Sequence, residues 1–323
     1  MGTLPATAAL LAATAVWGST FVVTKGSLDE LDPASFLTWR FGVAAVALLL
    51  VRPGSVARLS PADRWRAALL GVALAVGFLL QTTGLQHTLA GVSGFLTEAA
   101  VILTPVVAAV FFGDRVGRAG WAAVAVSAVG IAGLAGGVSA PTSVGAALTL
   151  AGAACFAVHI AGLSQWATRA NAYGLTAVSV ATAACLCALA ALLGTGIALP
   201  ETSTAWQSVL YLGVVATCVG FAVQAWAQSA LAATTAAVVM TMEPVFAAGL
   251  AVALGEQGLG WVGWVGGLLV VAGMALAELG PRVGGLGRGP ARRRGHGARR
   301  ARAPRVLRRP VPPGRVLLSW LSC

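Results

Sequence analysis

Two glutamates stand inside apolar stretches where a carboxylate is expensive. Glu243 lies in Met240 to Glu256, MTMEPVFAAGLAVALGE, and Glu98 lies in Leu96 to Asp114, LTEAAVILTPVVAAVFFGD. Each stretch also holds a proline, Pro244 or Pro105, and closes on glycine followed by an acid. An ionised acid in such a setting costs roughly 3 kcal/mol on insertion scales, so these two carboxylates are candidates to exchange protons or to meet a charged solute. Gln81 and Gln224 could donate and accept hydrogen bonds without charge, either to a solute or to a neighbouring helix. His159 could titrate or simply pack, and Trp17 in Trp17-Gly18-Ser19 could wall a cavity while Gly18 lets a helix approach closely. Pro105 and Pro244 each remove a helical hydrogen bond and free a carbonyl, which is the chemistry of a hinge. No metal-ligand spacing, phosphate-binding glycine loop or Ser/His/Asp set accompanies them, so neither a cofactor nor an enzymatic activity is expected. The cysteines (Cys155, Cys185, Cys187, Cys218, Cys323) show no CxxC spacing and are read as small packing residues.

The elements that must position these residues are membrane helices. Of 323 residues 58% are hydrophobic and 10% charged, against about 25% charged in an average soluble domain. A helix needs about 20 mostly apolar residues to cross the hydrocarbon. Ten segments meet that need: Leu4 to Thr24, Ala34 to Val51, Trp65 to Gly84, Ala90 to Phe112, Ala119 to Gly137, Val144 to Gln165, Ala172 to Leu193, Trp206 to Gln228, Leu231 to Leu254 and Leu259 to Glu278. The fold class expected is therefore an all-α polytopic membrane protein, with the first segment retained rather than cleaved. Glu98 and Glu243 fall roughly 12 and 18 Å into their spans at 1.5 Å per residue, near the middle of the membrane.

Charge orients the chain. The net charge of +11 misleads, because up to Gly280 nine Lys/Arg stand against all ten Asp/Glu, and the other twelve arginines lie between Arg282 and Arg315. Arg52, Arg58, Arg64, Arg66, Arg115, Arg118 and Arg169 all fall in connectors on one side, which predicts both termini on the cytoplasmic face. Arg40, near the outer start of the second span, is expected to snorkel to the interface or to pair with an acid of the first connector.

The chain also repeats itself. A shift of 142 lays Leu89 on Leu231 and Gly113-Asp114 on Gly255-Glu256, and a shift of 143 lays Gly77-Phe78 and Gln81 on Gly220-Phe221 and Gln224. Five spans per half is an odd number, so the halves, 4–137 and 144–278, enter the membrane with opposite orientation. Such an inverted repeat suits a protein that exposes one site alternately to two sides. Glu243 adjoins Pro244 whereas Glu98 lies seven residues before Pro105, so a backbone break is expected at Glu243 and regular helix at Glu98.

On Trp17-Gly18-Ser19, Arg40-Phe41, Thr104-Pro105 to Asp114 and Glu243-Pro244 to Glu256, the chain resembles the EamA-like permeases of the drug/metabolite transporter superfamily. That resemblance covers Leu4 to Glu278. It implies ten helices in two inverted five-helix repeats around a central cavity, lined mainly by the first, third, fourth, sixth, eighth and ninth spans. It also implies a small-molecule substrate among amino acids, metabolites or toxic compounds, often exported. Phe156-Ala157 stands in the sixth span where Trp17-Gly18 stands in the first, which breaks the symmetry of the motif.

Together these readings predict an inner-membrane secondary carrier, coupled to protons, with Glu98, Glu243, Gln81, Gln224, Trp17 and His159 at its site and Pro105 and Pro244 as hinges. The rival classes are a membrane-embedded enzyme on lipid or isoprenoid substrates and a scaffold that recruits partners through its tail. The tail, 281–323, is rich in Gly, Arg, Pro and Ala and is expected to be disordered. Its arginines suit anionic lipid head groups at about 1 kcal/mol each near the surface. Nucleic acid is not expected as a partner, and self-association into a homodimer is left open.

Overall fold

The computed structural model describes residues 3–88, 90–135, 143–253 and 260–283, and its regular structure there is helical throughout. The helices in order are α1 (Thr3–Gly18), α2 (Thr20–Ser27), α3 (Pro33–Val51), α4 (Pro61–Gln86), α5 (Ala90–Thr97), α6 (Ala99–Phe112), α7 (Arg118–Ala135), α8 (Ser143–Trp166), α9 (Ala172–Leu193), α10 (Ser203–Leu210), a π-helical turn over Tyr211–Val219, α11 (Gly220–Gln228), α12 (Ala233–Met240), α13 (Met242–Ala253) and α14 (Trp261–Val283). Seven helical stretches among the described residues are long and apolar enough to cross a membrane. Three shorter apolar helices, Arg118–Gly133, Ala233–Ala247 and Trp261–Ala277, stand where the fifth, ninth and tenth spans were expected. The protein is thus an all-helical, multi-pass membrane protein. Leu50, Val110, Phe111, Leu193, Trp261 and Leu268 are each more than two-thirds exposed, as lipid-facing residues are.

Connector side chains start and stop these helices. Asp32 Oδ1 accepts from Ala34 N at 3.0 Å and from Ser35 N at 3.1 Å, with Pro33 at a helical position whose N–H would go unused. Ser60 caps α4 through Asp63 N, and Gly113 closes α6 at φ +68°, a left-handed conformation that glycine adopts without strain. The Thr202 hydroxyl accepts from Ala205 N and donates to Glu30 Oε2 at 2.7 Å, joining the first connector to the start of α10. Backbone N–H groups of Glu201 and Thr202 also donate to Glu30. Led by the Thr202 hydroxyl, these bonds hold the Glu30 carboxyl below its ordinary 4.5. A lowered value favours the ionised form, so the joint stands above that pH and loosens only as the pH falls below it.

The packing crosses between the halves of the chain. α8 lies against α4 and α6, while α1 lies against α11, α12 and α13. α1 therefore rests on helices between Gly220 and Ala253, and α8 on helices between Pro61 and Phe112. α3 and α9 pack on each other, and α9 also packs on α4.

Four spans are interrupted, and not all where prolines predict it. The first breaks at Ser19, whose hydroxyl bonds back to Val16 O at 2.8 Å. The fourth breaks at Glu98, which corrects the expectation of regular helix there. Thr97 Oγ1 donates to Ser93 O at 2.8 Å and so competes for a carbonyl that the helix would use, while Glu98 N and Val101 N make three-residue rather than four-residue bonds. Pro105, seven residues on, sits inside α6. The ninth breaks at Thr241, whose hydroxyl bonds Val238 O at 2.6 Å, and this puts Pro244 in the first turn of α13, where its missing N–H costs little. The eighth is loosened by its π-helical turn.

The described residues up to Arg282 belong to one compact unit. α14 runs through Pro281 to Val283, past the boundary expected for the tail. The arginine-rich remainder, the acid pair Gly255-Glu256 and the segment around Gly137 lie outside the described residues.

Candidate functional site

The interrupted spans, together with α3, α4 and α8, line a cavity that is open to solvent. Trp17, Gln81, Glu98, His159, Gln224 and Glu243 all line it, although they come from six different spans. Pro105 and Pro244 are not among the lining residues.

The acids are carried by the breaks. Glu98 is the residue before α6 and Glu243 lies in the first turn of α13, so each sits at the amino end of a half-helix, where exposed N–H groups favour negative charge. Glu98 is 6% exposed and Glu243 is half-buried. The charge on Glu243 acts on Glu98 and also on Arg40. The breaks at Glu98 and Thr241 are 143 residues apart, the offset that pairs Gln81 with Gln224. The breaks keep the Gln81-to-Gln224 offset and the glutamates do not.

The amides are used differently. Gln81 Nε2 donates to Thr97 Oγ1 at 2.8 Å, bracing the break beside Glu98. Gln224 Nε2 reaches only Met240 Sδ at 3.9 Å, and its Oε1 is buried without a partner. His159 Nδ1 lies 3.1 Å from Leu70 O; a carbonyl only accepts, so the proton is on Nδ1 and Nε2 is the free acceptor.

Trp17-Gly18-Ser19 pins the first span between the eighth and ninth. Trp17 Nε1 donates to Ala216 O at 2.8 Å inside the π-helical turn, and Ser19 Oγ lies 2.7 Å from Tyr211 Oη. A Cβ at Gly18 would come within 2.9 Å of Glu243 O. The Trp17 ring lies over Gly220-Phe221, 5.6 Å from Phe221, and Phe156 lies over Gly77-Phe78, 5.0 Å from Phe78. Phe156 thus keeps the packing place of the tryptophan and loses its donor. Trp17→Phe is expected to preserve the ring packing, strand the Ala216 carbonyl and lower stability by about 1–2 kcal/mol, as read by melting in detergent.

Arg40 is the lining residue that sequence reasoning misplaced. It is 3% exposed and does not reach the interface: Nε donates to Thr217 Oγ1 at 2.9 Å, and the guanidinium lies 4.7 Å from the Phe78 centroid. Its position about two turns into α3 makes snorkelling look cheap; Phe78 and Thr217, from distant parts of the chain, hold it inward instead.

Comparison with known proteins agrees with this architecture. The chain is 29% identical over 264 residues to an "Uncharacterized transporter" of Archaeoglobus fulgidus, covering 82% of each chain. It is 30% identical over 283 residues to a "Probable terminal-alkyne amino-acid exporter" of Streptantibioticus cattleyicolor, covering 83% of this chain and 91% of that one. A solved crystal structure shares the fold at a TM-score of 0.71 and 20% identity, over 87% of this chain and 99% of its own. The family model of EamA-like transporters matches 4–136 and again 143–279, and the chain belongs to the EamA-like transporter family.

Proposed function

We propose that this transporter is a secondary exporter of a small organic solute such as an amino acid, a metabolite or a toxic compound, working by alternating access and driven by protons. The observation that carries the reading is the meeting of Glu98 and Glu243 in one cavity at the breaks of two helices. Interrupted helices at a membrane-buried site are how carriers expose backbone and charge to a solute without exposing them to lipid. In this reading the ten spans form two inverted five-helix repeats, and the crossed packing of the two first spans is the interface on which the halves rock. The chain sits in a bacterial-type inner membrane with both termini cytoplasmic. Its tail meets anionic lipid, and the carrier acts as a monomer or a homodimer.

The test is a screen of an overexpressing strain and a deletion strain against amino acids and toxic compounds, followed by exchange in proteoliposomes. Resistance on overexpression and sensitivity on deletion, both for one class of compound that the reconstituted protein also exchanges, are expected. Absence of any shift together with absence of exchange would sink the proposal.

A further inference from the structure

The guanidinium of Arg40 is held as if to leave one edge for a ligand. Nε is taken by Thr217 Oγ1, which itself donates to Leu212 O at 2.7 Å. The plane of the group is packed on Phe78 and lies 5.8 Å from Phe41. The edge formed by the two terminal nitrogens makes no hydrogen bond and no ion pair within 4 Å to the described residues, yet Arg40 lines the cavity. A buried cation with no acid in contact is costly, and a bidentate carboxylate fits the planar fork better than any other common anion except phosphate.

The rest of the lining argues for the carboxylate and against the phosphate. Glu98 and Glu243 place two acids in the same cavity, which a multiply charged anion would meet unfavourably and a cationic group favourably. The partnerless Oε1 of Gln224 is a further acceptor for N–H donors. Between these poles the wall is aromatic, made by Trp17, Phe21, Phe78, Phe156 and Phe221. The cavity therefore offers one cation, two acids with a neutral acceptor, and an apolar body.

We infer that Arg40 is the carboxylate anchor of the transport site, and that the substrate class is zwitterionic: a solute with a carboxylate on Arg40, an ammonium toward Glu243, Glu98 and Gln224 Oε1, and an apolar or aromatic side chain against the Phe and Trp wall. This rests on the carrier reading. Thr217 and Phe78 are positioning residues that hold the fork.

The test uses the purified full-length protein in proteoliposomes, with exchange of labelled L-phenylalanine and L-leucine. Competitors are phenethylamine, which lacks the carboxylate, and 3-phenylpropanoate, which lacks the ammonium. With the wild type, both amino acids exchange, phenethylamine at hundredfold excess inhibits little, and 3-phenylpropanoate inhibits measurably. Arg40→Gln loses at least tenfold in apparent affinity for the amino acids and Arg40→Lys recovers part of it. Thr217→Val, which frees Nε and keeps the charge, loses about threefold. If Arg40→Gln does not fold, as judged by size exclusion, the wild-type competition and Thr217→Val still decide. Phenethylamine competing as well as L-phenylalanine, or exchanging when the amino acids do not, overturns the anchor while leaving a carrier. Unchanged affinity in Arg40→Gln does the same. Exchange of none of these probes overturns the zwitterion inference, and the strain screen then judges the carrier reading separately.

Discussion

Glu243→Gln in proteoliposomes is expected to weaken solute exchange without abolishing it, because an ammonium loses one counter-charge, and to lose at least tenfold of the acceleration that an imposed pH gradient gives the wild type; Glu98→Gln is expected to do the same. Glutamine keeps the shape of the side chain and cannot carry the proton. The two side chains are nearly the same size, so the substitution removes charge with little change in packing. The two are electrostatically linked, Glu243 acting on Glu98 and Arg40 on Glu243, so the double variant should fall short of the product of the single effects. Asp63→Asn, at a surface acid paired with Arg66 at 3.1 Å, serves as the control and should leave the gradient response intact. If both cavity variants respond to the gradient as the wild type does, proton coupling through these acids is wrong.

The second large effect is expected at Gly18. A Cβ there would meet Glu243 O at 2.9 Å, Ala247 N at 3.0 Å and Phe246 Cβ at 3.1 Å. Two of these are backbone atoms of α13 and cannot rotate away. Gly18→Val must therefore push the ninth span off the first, at about 1–3 kcal/mol for overpacking, and it displaces Glu243 as it does so. We expect a melting temperature several degrees lower and a loss of transport of tenfold or more, with Gly18→Ala intermediate. Gly26→Ala, also on the first span but with nothing within 4 Å of its Cβ, should cost neither. Equal behaviour of Gly18→Val and Gly26→Ala would refute the claim that Gly18 seats the Glu243 break.

Much of this site was legible one residue at a time. A glutamate, a glutamine or a histidine in an apolar run stands out because membrane burial makes each expensive, which marks Gln81, Glu98, His159, Gln224 and Glu243, while Trp17 is marked by the small residues beside it. Arg40 was misread by the same logic. Its distance from the end of its span suggested the interface, and nothing local announced that Thr217 and Phe78 would hold it in the cavity. The breaks were misread for a related reason. Proline spacing predicts a break at Glu243 and regular helix at Glu98, whereas serine and threonine hydroxyls that bond back to the preceding turn accompany breaks in the first and fourth spans without an adjacent proline.

The sequence by itself determined that the chain lives in a membrane, which stretches are apolar enough to lie there, which polar residues are out of place, and that its halves repeat with offsets of 142 and 143. These follow from composition and spacing, which are local. Tertiary structure alone decided that six spans bring their polar residues into one cavity, that the guanidinium of Arg40 faces inward, and that Gly18 lets the first span touch the ninth at Glu243. Those outcomes depend on which helix meets which. Lipid rewards every apolar face alike, so periodicity marks that a helix is buried in the membrane and leaves its partner to be chosen by shape, hydrogen bonds and close backbone contact.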